Sequence, residues 1–175
     1  MRRARDAVPN LAIVGDMIVG YPSETDEDHH ASLELVRAVR YKTVYVFKYS
    51  PRPGTVSSAR DLDDVPDPVK RARNQELLSL QHDISLAHHQ GLVGGTVEVL
   101  VEGTAKLDPS ERAVTADDGL VSITRRAAPG PGVRLTARTR GDHIVSFTGD
   151  VALVGRLVAV RITRASPLSL SGELV

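Results

Sequence analysis

Gly15-Asp16-Met17-Ile18-Val19-Gly20-Tyr21-Pro22-Ser23-Glu24-Thr25 decides how this chain is read. An apolar run ends in a glycine-proline turn, and an acidic helix start follows at once. A second run, Val44-Tyr45-Val46-Phe47-Lys48-Tyr49, breaks in the same way at Ser50-Pro51-Arg52-Pro53-Gly54-Thr55. Between them, residues 24–40 are expected to form a helix. Ser23 or Thr25 can cap it, and Glu24, Asp26, Glu27 and Asp28 set negative charge on the positive end of its dipole. Ala31, Leu35 and Val39, with Val36 beside them, mark its apolar face. Strand, helix and strand at this spacing form a βαβ unit of a parallel sheet or barrel. Ligands of such sheets bind at the carboxyl ends of the strands. The two loops therefore read as part of a small-molecule site.

The chain has 175 residues, 41% of them apolar, enough for one domain or two small ones. Its core must be mostly aliphatic, because the aromatics are four Tyr and two Phe with no Trp. With 22 basic against 22 acidic residues, any argument for a polyanion partner must be local. There is no cysteine, so this chain's side chains can form neither a disulfide nor a thiolate-held zinc or iron–sulfur site. No apolar run reaches membrane-spanning length, and the arginine-rich start has no apolar stretch behind it. A cytoplasmic protein without a membrane partner is the expectation.

Asp61 to Pro68 reads as a loop, and Asp67-Pro68 as the start of a long helix reaching Gln90. Leu77, Leu80, Ile84 and Ala87 mark its apolar stripe. From Thr96 the texture changes to short alternating segments separated by glycines, which implies a small β-barrel. Residues 1–92 are thus expected to form an α/β unit and residues 93–175 a barrel. A long insert spans roughly 103–132, in which Leu120 to Thr124 can pair as an extra strand.

Each candidate site has a plainer alternative. Gly20 at a strand end lets the backbone approach a flat ligand, yet it also suits an ordinary turn. Glu24 alone reads better as a helix-start charge than as a base. Pro51 and Pro53 stiffen the backbone around Arg52, which suits a guanidinium aimed at a carboxylate or phosphate. The paired histidines, His29-His30 and His88-His89, lack the spacing of a shared metal face, so all are expected at the surface and no metal site is expected. Between Gly119 and Gly141 stand Arg125, Arg126, Arg134, Arg138 and Arg140 with no acid. With His143 and Phe147 on the next strand this tract could hold RNA by phosphate contacts and stacking. The alternative is a set of solvated strand faces.

Taken together, these segments resemble the C-terminal part of the radical-SAM methylthiotransferases, most of all the bacterial enzymes that methylthiolate N6-isopentenyladenosine in tRNA. Asp16-Met17-Ile18-Val19-Gly20-Tyr21-Pro22-Ser23-Glu24-Thr25 is similar to the family's D-x-I-V-G-F-P-G-E-T element. Phe47-Lys48-Tyr49-Ser50-Pro51-Arg52-Pro53-Gly54-Thr55 is similar to F-x-Y-S-x-R-P-G-T. Val99-Leu100-Val101-Glu102-Gly103, Leu135-Thr136-Ala137-Arg138-Thr139 and Ser169-Leu170-Ser171-Gly172-Glu173-Leu174 follow in the family's order. Ser23 and Ala137 stand where the family has glycine.

The resemblance implies the last βα units of a partial TIM barrel followed by a TRAM, OB-like barrel. It implies S-adenosylmethionine and [4Fe-4S] clusters as cofactors and tRNA as partner. Ile18, Gly20 and Glu24 would line the S-adenosylmethionine pocket, and Ser50 and Arg52 would lie near cofactor or substrate. Arg138, Arg140, His143 and Phe147 would contact RNA. The family's cluster-binding cysteines and N-terminal domain are not in this sequence. The chain is therefore expected to be silent alone and to need the missing N-terminal part. Residues 1–92 alone are expected to associate through open edges, whereas 94–175 should fold independently. Two other readings are an RNA-binding module without turnover, and a piece of the sister enzyme that methylthiolates a ribosomal-protein aspartate.

Overall fold

Two parallel strands, β1 (Val14–Val19) and β2 (Thr43–Lys48), lie in level register, with Asp16 beside Tyr45 and Ile18 beside Phe47. They belong to a computed structural model that describes residues 1–60, 63–105, 112–117, 120–125 and 132–175, with side chains at 1–59, 63–105 and 132–175. The chain divides into two units, Met1–His89 and Gln90–Val175.

In the first unit a short helix α1 (Arg2–Ala7) precedes β1, and helix α2 (Asp26–Val39) connects the strands. Helix α3 (Val56–Arg60) and the long α4 (Asp67–Gln90) follow β2. Level parallel pairing needs a crossover, and α2 supplies it. Its start is a complete capping box: the Thr25 side chain accepts from the Asp28 N–H, and the Asp28 carboxylate accepts from the Thr25 N–H. Those bonds hold the Asp28 carboxyl below its usual range. At its end Arg40 turns left-handed, and Arg5 of α1 donates to the Arg40 carbonyl at 3.1 Å.

Met17, Val19, Val44 and Val46 point to one side of the sheet and pack with Leu33, Val36, Leu77, Leu80 and Ile84. The period expected for α2 holds, but its phase is rotated. His29, Leu33, Val36 and Val39 are buried, whereas Ala31 and Leu35 are exposed. The buried stripe of α4 is more polar than expected. It runs Lys70, Arg73, Leu77, Gln81, Ser85, His89, because the helix must satisfy carbonyls at the sheet and at the end of α2. Asn74 donates to the Val46 carbonyl at 3.1 Å and Gln81 to the Tyr41 carbonyl at 3.0 Å. His29 and His89, expected at the surface, are buried, and His29 Nε2 lies 2.9 Å from Glu76. The other sheet face carries Val14, Ile18, Tyr45 and Phe47, all about half exposed.

The second unit is a closed barrel of β3 (Thr96–Thr104), β6 (Val133–Thr139), β7 (Ile144–Gly149), β9 (Leu170–Leu174) and β8 (Leu157–Ala165), paired in that order. Closure removes the exposed edges of an open sheet. Strands β4 (Arg112–Asp117) and β5 (Leu120–Arg125) form a separate hairpin within the insert, so the extra strand expected at Leu120 to Thr124 pairs with β4. Alternation sends Val99, Val101, Leu135, Ala137, Val145, Phe147, Val160, Ile162 and Leu170 inward. The Ala137 methyl, at a position where the resemblance implies glycine, is taken up in this core.

Gly172 is fixed by close approach. A Cβ there would lie 2.4 Å from the Arg161 carbonyl oxygen and 2.6 Å from Val160 Cγ1. The Gly172→Ala variant is expected to destabilise the barrel by about 2 kcal/mol. Denaturant unfolding followed by far-UV circular dichroism measures it. All four tyrosines lie in the first unit and report it separately. An unchanged far-UV midpoint would contradict the packing.

Candidate functional site

Because β1 and β2 are in level register, both loops leave the same end of the sheet. The Tyr49 N–H donates to the Val19 carbonyl at 2.8 Å, carrying the pairing one residue further. Gly20 and Ser50 therefore start the two loops side by side. Tyr21 and Tyr49 meet edge to face with centroids 5.2 Å apart.

The Gly20 turn is held from beneath by α4. Gly20 has φ +68°, and a Cβ there would come within 2.3 Å of the Lys70 side chain. Lys70 is buried, pairs with Asp63, and sets its ammonium 5.3 Å from the Tyr49 ring centroid. Glu24 accepts from the Gly20 N–H and from Arg73, which lies 2.7 Å away. The Glu24 side chain is 11% exposed and that of Arg73 is 7% exposed. Arg73 also donates to Asp26 at 2.7 Å and to the Glu24 carbonyl at 3.1 Å. A buried guanidinium needs such partners, since an unpaired charge there would be costly. Glu24 thus fixes the turn from inside, and its carboxylate is committed to Arg73. Ser23 has φ +67°, and its N–H donates to Asp64 at 2.8 Å. This is a left-handed conformation that favours glycine, which the resemblance leads one to expect at this position.

Above this frame Ile18 stands 56% exposed on the open sheet face. Ser50 and Arg52 are exposed on the second loop. The Arg52 carbonyl accepts from the Thr55 hydroxyl at 2.8 Å, so the loop closes on itself, and Arg52 is exposed with no carboxylate ion pair among the described residues. Ser50 also lines a cleft of about 520 Å³ walled by Lys48, Tyr49, Asp63, Asp67 and Lys70. Lys48 and Arg71 hydrogen-bond to Asp67 and hold its carboxyl below the usual range.

Lys70 and Arg73 were not among the residues expected at the site. The signal was available: the stripe Leu77, Leu80, Ile84, extended one turn back, lands on Arg73, and two turns back on Lys70. A cation in a buried stripe implies an anion facing it.

On the barrel, the expected RNA contacts separate. Arg140 is exposed at the end of β6. His143 is half-buried, and its N–H donates to the Thr139 hydroxyl at 3.0 Å. Arg138 faces outward but is bonded to Asp142 and to Glu102, the latter at 3.0 Å. Its proton is held more tightly for that reason, and any anion approaching it would compete with two carboxylates. Phe147, expected to contact RNA, is instead 2% exposed in the barrel core, so its ring is not available to stack on a base. Arg126 lies outside the described residues, and only the backbone of Arg125 is described. Among the described residues no group of three or more His, Asp or Glu could hold a metal, and no helix is long and apolar enough to cross a membrane.

Residues 120–175 match the TRAM domain. The chain is 38% identical over 171 residues to the tRNA-2-methylthio-N(6)-dimethylallyladenosine synthase of Moorella thermoacetica, covering 98% of this chain and 33% of that protein. Proteins of the same name from Thermoanaerobacter sp. and Rhodopirellula baltica are 39% and 40% identical over 99% and 98% of this chain, and over 32% and 33% of their own lengths. The chain thus spans about a third of the length of the curated relatives it matches.

The Asp26 carboxyl is held below its ordinary 3.8, first by the hydrogen bond from Arg73 and then by that cation's charge. A carboxylate depressed on folding contributes stability above its unfolded pKa, and the contribution is lost as pH falls through the lower folded value. The first unit is therefore expected to lose stability as pH drops below about 4, and Asp26→Asn should flatten that dependence. Near-UV dichroism of the tyrosines during unfolding at stepped pH measures it. An equal acid slope in both proteins would contradict the role of the pair.

Proposed function

We propose, from this chain's kinship along nearly its whole length with one third of the tRNA-2-methylthio-N(6)-dimethylallyladenosine synthases, that it is the tRNA-gripping and strand-end portion of such an enzyme. The single observation that carries the reading is a TRAM match that covers four of the five strands of a closed barrel, preceded in the chain by a βαβ unit whose two loops open at one end. On this reading residues 1–92 are barrel units of a radical-SAM enzyme, and residues 93–175 bind RNA.

The reaction is the addition of a methylthio group to C2 of N6-isopentenyladenosine beside the anticodon. S-adenosylmethionine, when bound, supplies the precursor of the radical that activates that carbon. The donor set does not fit an iron–sulfur cluster, since the chain has no cysteine, and its residues take no part in holding one. For S-adenosylmethionine the fit is better. Ile18 offers an apolar surface, the Gly20 turn keeps the strand end low, and Ser50 and Arg52 offer polar groups from the neighbouring loop. Glu24 acts from behind by fixing the Gly20 N–H. The committed Glu24 carboxylate argues for positioning over direct contact.

Arg140 and His143 are the proposed contacts at the end of the barrel, with Arg138 joining once phosphate displaces its carboxylates. The chain without its cluster-bearing part is expected to bind RNA and to turn nothing over. A binding module without turnover gives the same result for this chain alone. The protein-directed sister enzyme is disfavoured by the arginine-rich barrel wall.

A fluorescein-labelled tRNA anticodon stem-loop, titrated with the chain at several salt concentrations, tests the reading by anisotropy. Affinity should fall as salt rises, with a log–log slope of roughly −2 to −4 for a few phosphate contacts. Absence of binding at low salt, or binding indifferent to salt, would overturn it.

A further inference from the structure

Charge on the outside of the barrel is sorted by strand. β3 turns Glu98 and Glu102 outward, and Glu102 is the carboxylate that engages Arg138. The wall made by β6, β7, β9 and β8 turns mainly arginine and hydroxyl groups outward, with Glu173 on β9 as the outward carboxylate of those four strands. Register sets Thr136 beside Ser146, Ser146 beside Ser171, and Ser171 beside Arg164. Arg134, two residues along β6 from Thr136, donates to the Ser171 hydroxyl at 3.5 Å. Four adjacent strands about 4.8 Å apart spread this row over roughly 14 Å.

Every side chain in the row can donate a hydrogen bond, and none is a carboxylate. The acids nearest in register flank the row: Glu102, in the β3 bulge next to the partner of Thr136, is bonded to Arg138, and Glu173 sits opposite Arg161 and not opposite Arg164. Arg164 is exposed at a β-bulge between Ile162 and Arg164, and no carboxylate pairs with it among the described residues. The bulge re-aims the strand locally, as bulges do. The row holds no aromatic ring, so it is suited to phosphate and ribose and not to bases.

We infer that the wall formed by Arg134, Thr136, Ser146, Ser171 and Arg164 carries the sugar–phosphate backbone of the bound RNA, with Arg164 as its principal phosphate contact. This rests on the RNA-binding reading and extends it to a surface that the Arg138, Arg140 and His143 contacts do not include. Guanidinium and hydroxyl groups act in different ways here. The arginines set affinity and its salt dependence, and the hydroxyl row fixes where the strand lies. Arg138, neutralised by two acids, makes the smaller contribution.

Arg164→Ala and Arg164→Lys in the full chain, with the labelled anticodon stem-loop as probe, test the inference. Because Arg164 is exposed, both variants should keep the wild-type thermal midpoint, which is measured first. In about 0.1 M salt Arg164→Ala should weaken binding roughly five- to tenfold and make the salt slope shallower by about 1. Arg164→Lys should keep the slope while losing part of the affinity, because charge survives and the directed fork does not. If the wild-type chain binds RNA with the expected salt dependence and Arg164→Ala matches it in affinity and slope, the inference is overturned and the RNA-binding reading stands. If the wild-type chain does not bind, that reading fails and this inference with it.

Discussion

Closure of the barrel is the constraint on which the functional account depends. Five short strands can bury only one face each, so alternation commits every second residue to the core and the rest to water. Val145 and Phe147 go inward, and Ser146 and Thr148 go outward. The same rule sends Leu135 and Ala137 inside and lines up Arg134, Thr136 and Arg138 outside. The proposed RNA surface then depends on where these strands place arginine and hydroxyl groups relative to Glu98, Glu102 and Glu173. Gly172 shows how tight the closure is, because the β8 backbone passes where a methyl group would sit.

In the first unit the corresponding constraint is the level ending of two parallel strands. Two loops that would otherwise be independent emerge side by side, and α4 locks one of them from below. The lock consists of buried charge. Arg73 joins Glu24 to Asp26, and Lys70 fills the space that Gly20 leaves. Such pairs contribute little net stability compared with an apolar core, but removing one partner leaves a charge stranded. They are suited to fixing a turn in one conformation. That stiffness is what a strand-end site needs if Ile18, Ser50 and Arg52 are to meet a ligand without reordering.

Much of this was legible in the sequence, and the failures have physical causes. Strand positions were readable from alternation, the α2 start from its acidic first turn, and the barrel from glycine-separated short segments. The phase of α2 was not readable, because Ala31, Leu33, Leu35, Val36 and Val39 fit two overlapping faces. Only the packing partner chooses between them, and it chose the one holding His29. Phe147 lies near arginines in sequence and so resembles a stacking residue, yet alternation with Val145 places it inward. Glu24 and Arg73 lie 49 residues apart, and no local pattern links them. The charge sorting between β3 and the β6–β9 wall needed the pairing order, in which β9 runs parallel to β7 and returns against β8.

The central claim is that RNA lies on the outer wall of the barrel. Amide chemical-shift mapping of the chain during titration with the anticodon stem-loop tests this most directly. The account predicts shifts concentrated at Arg134–Arg140, Ile144–Thr148 and Thr163–Ser171, with the glutamate-bearing strand β3 little changed at Glu98. Shifts centred on β3, or confined to the first unit, would contradict it.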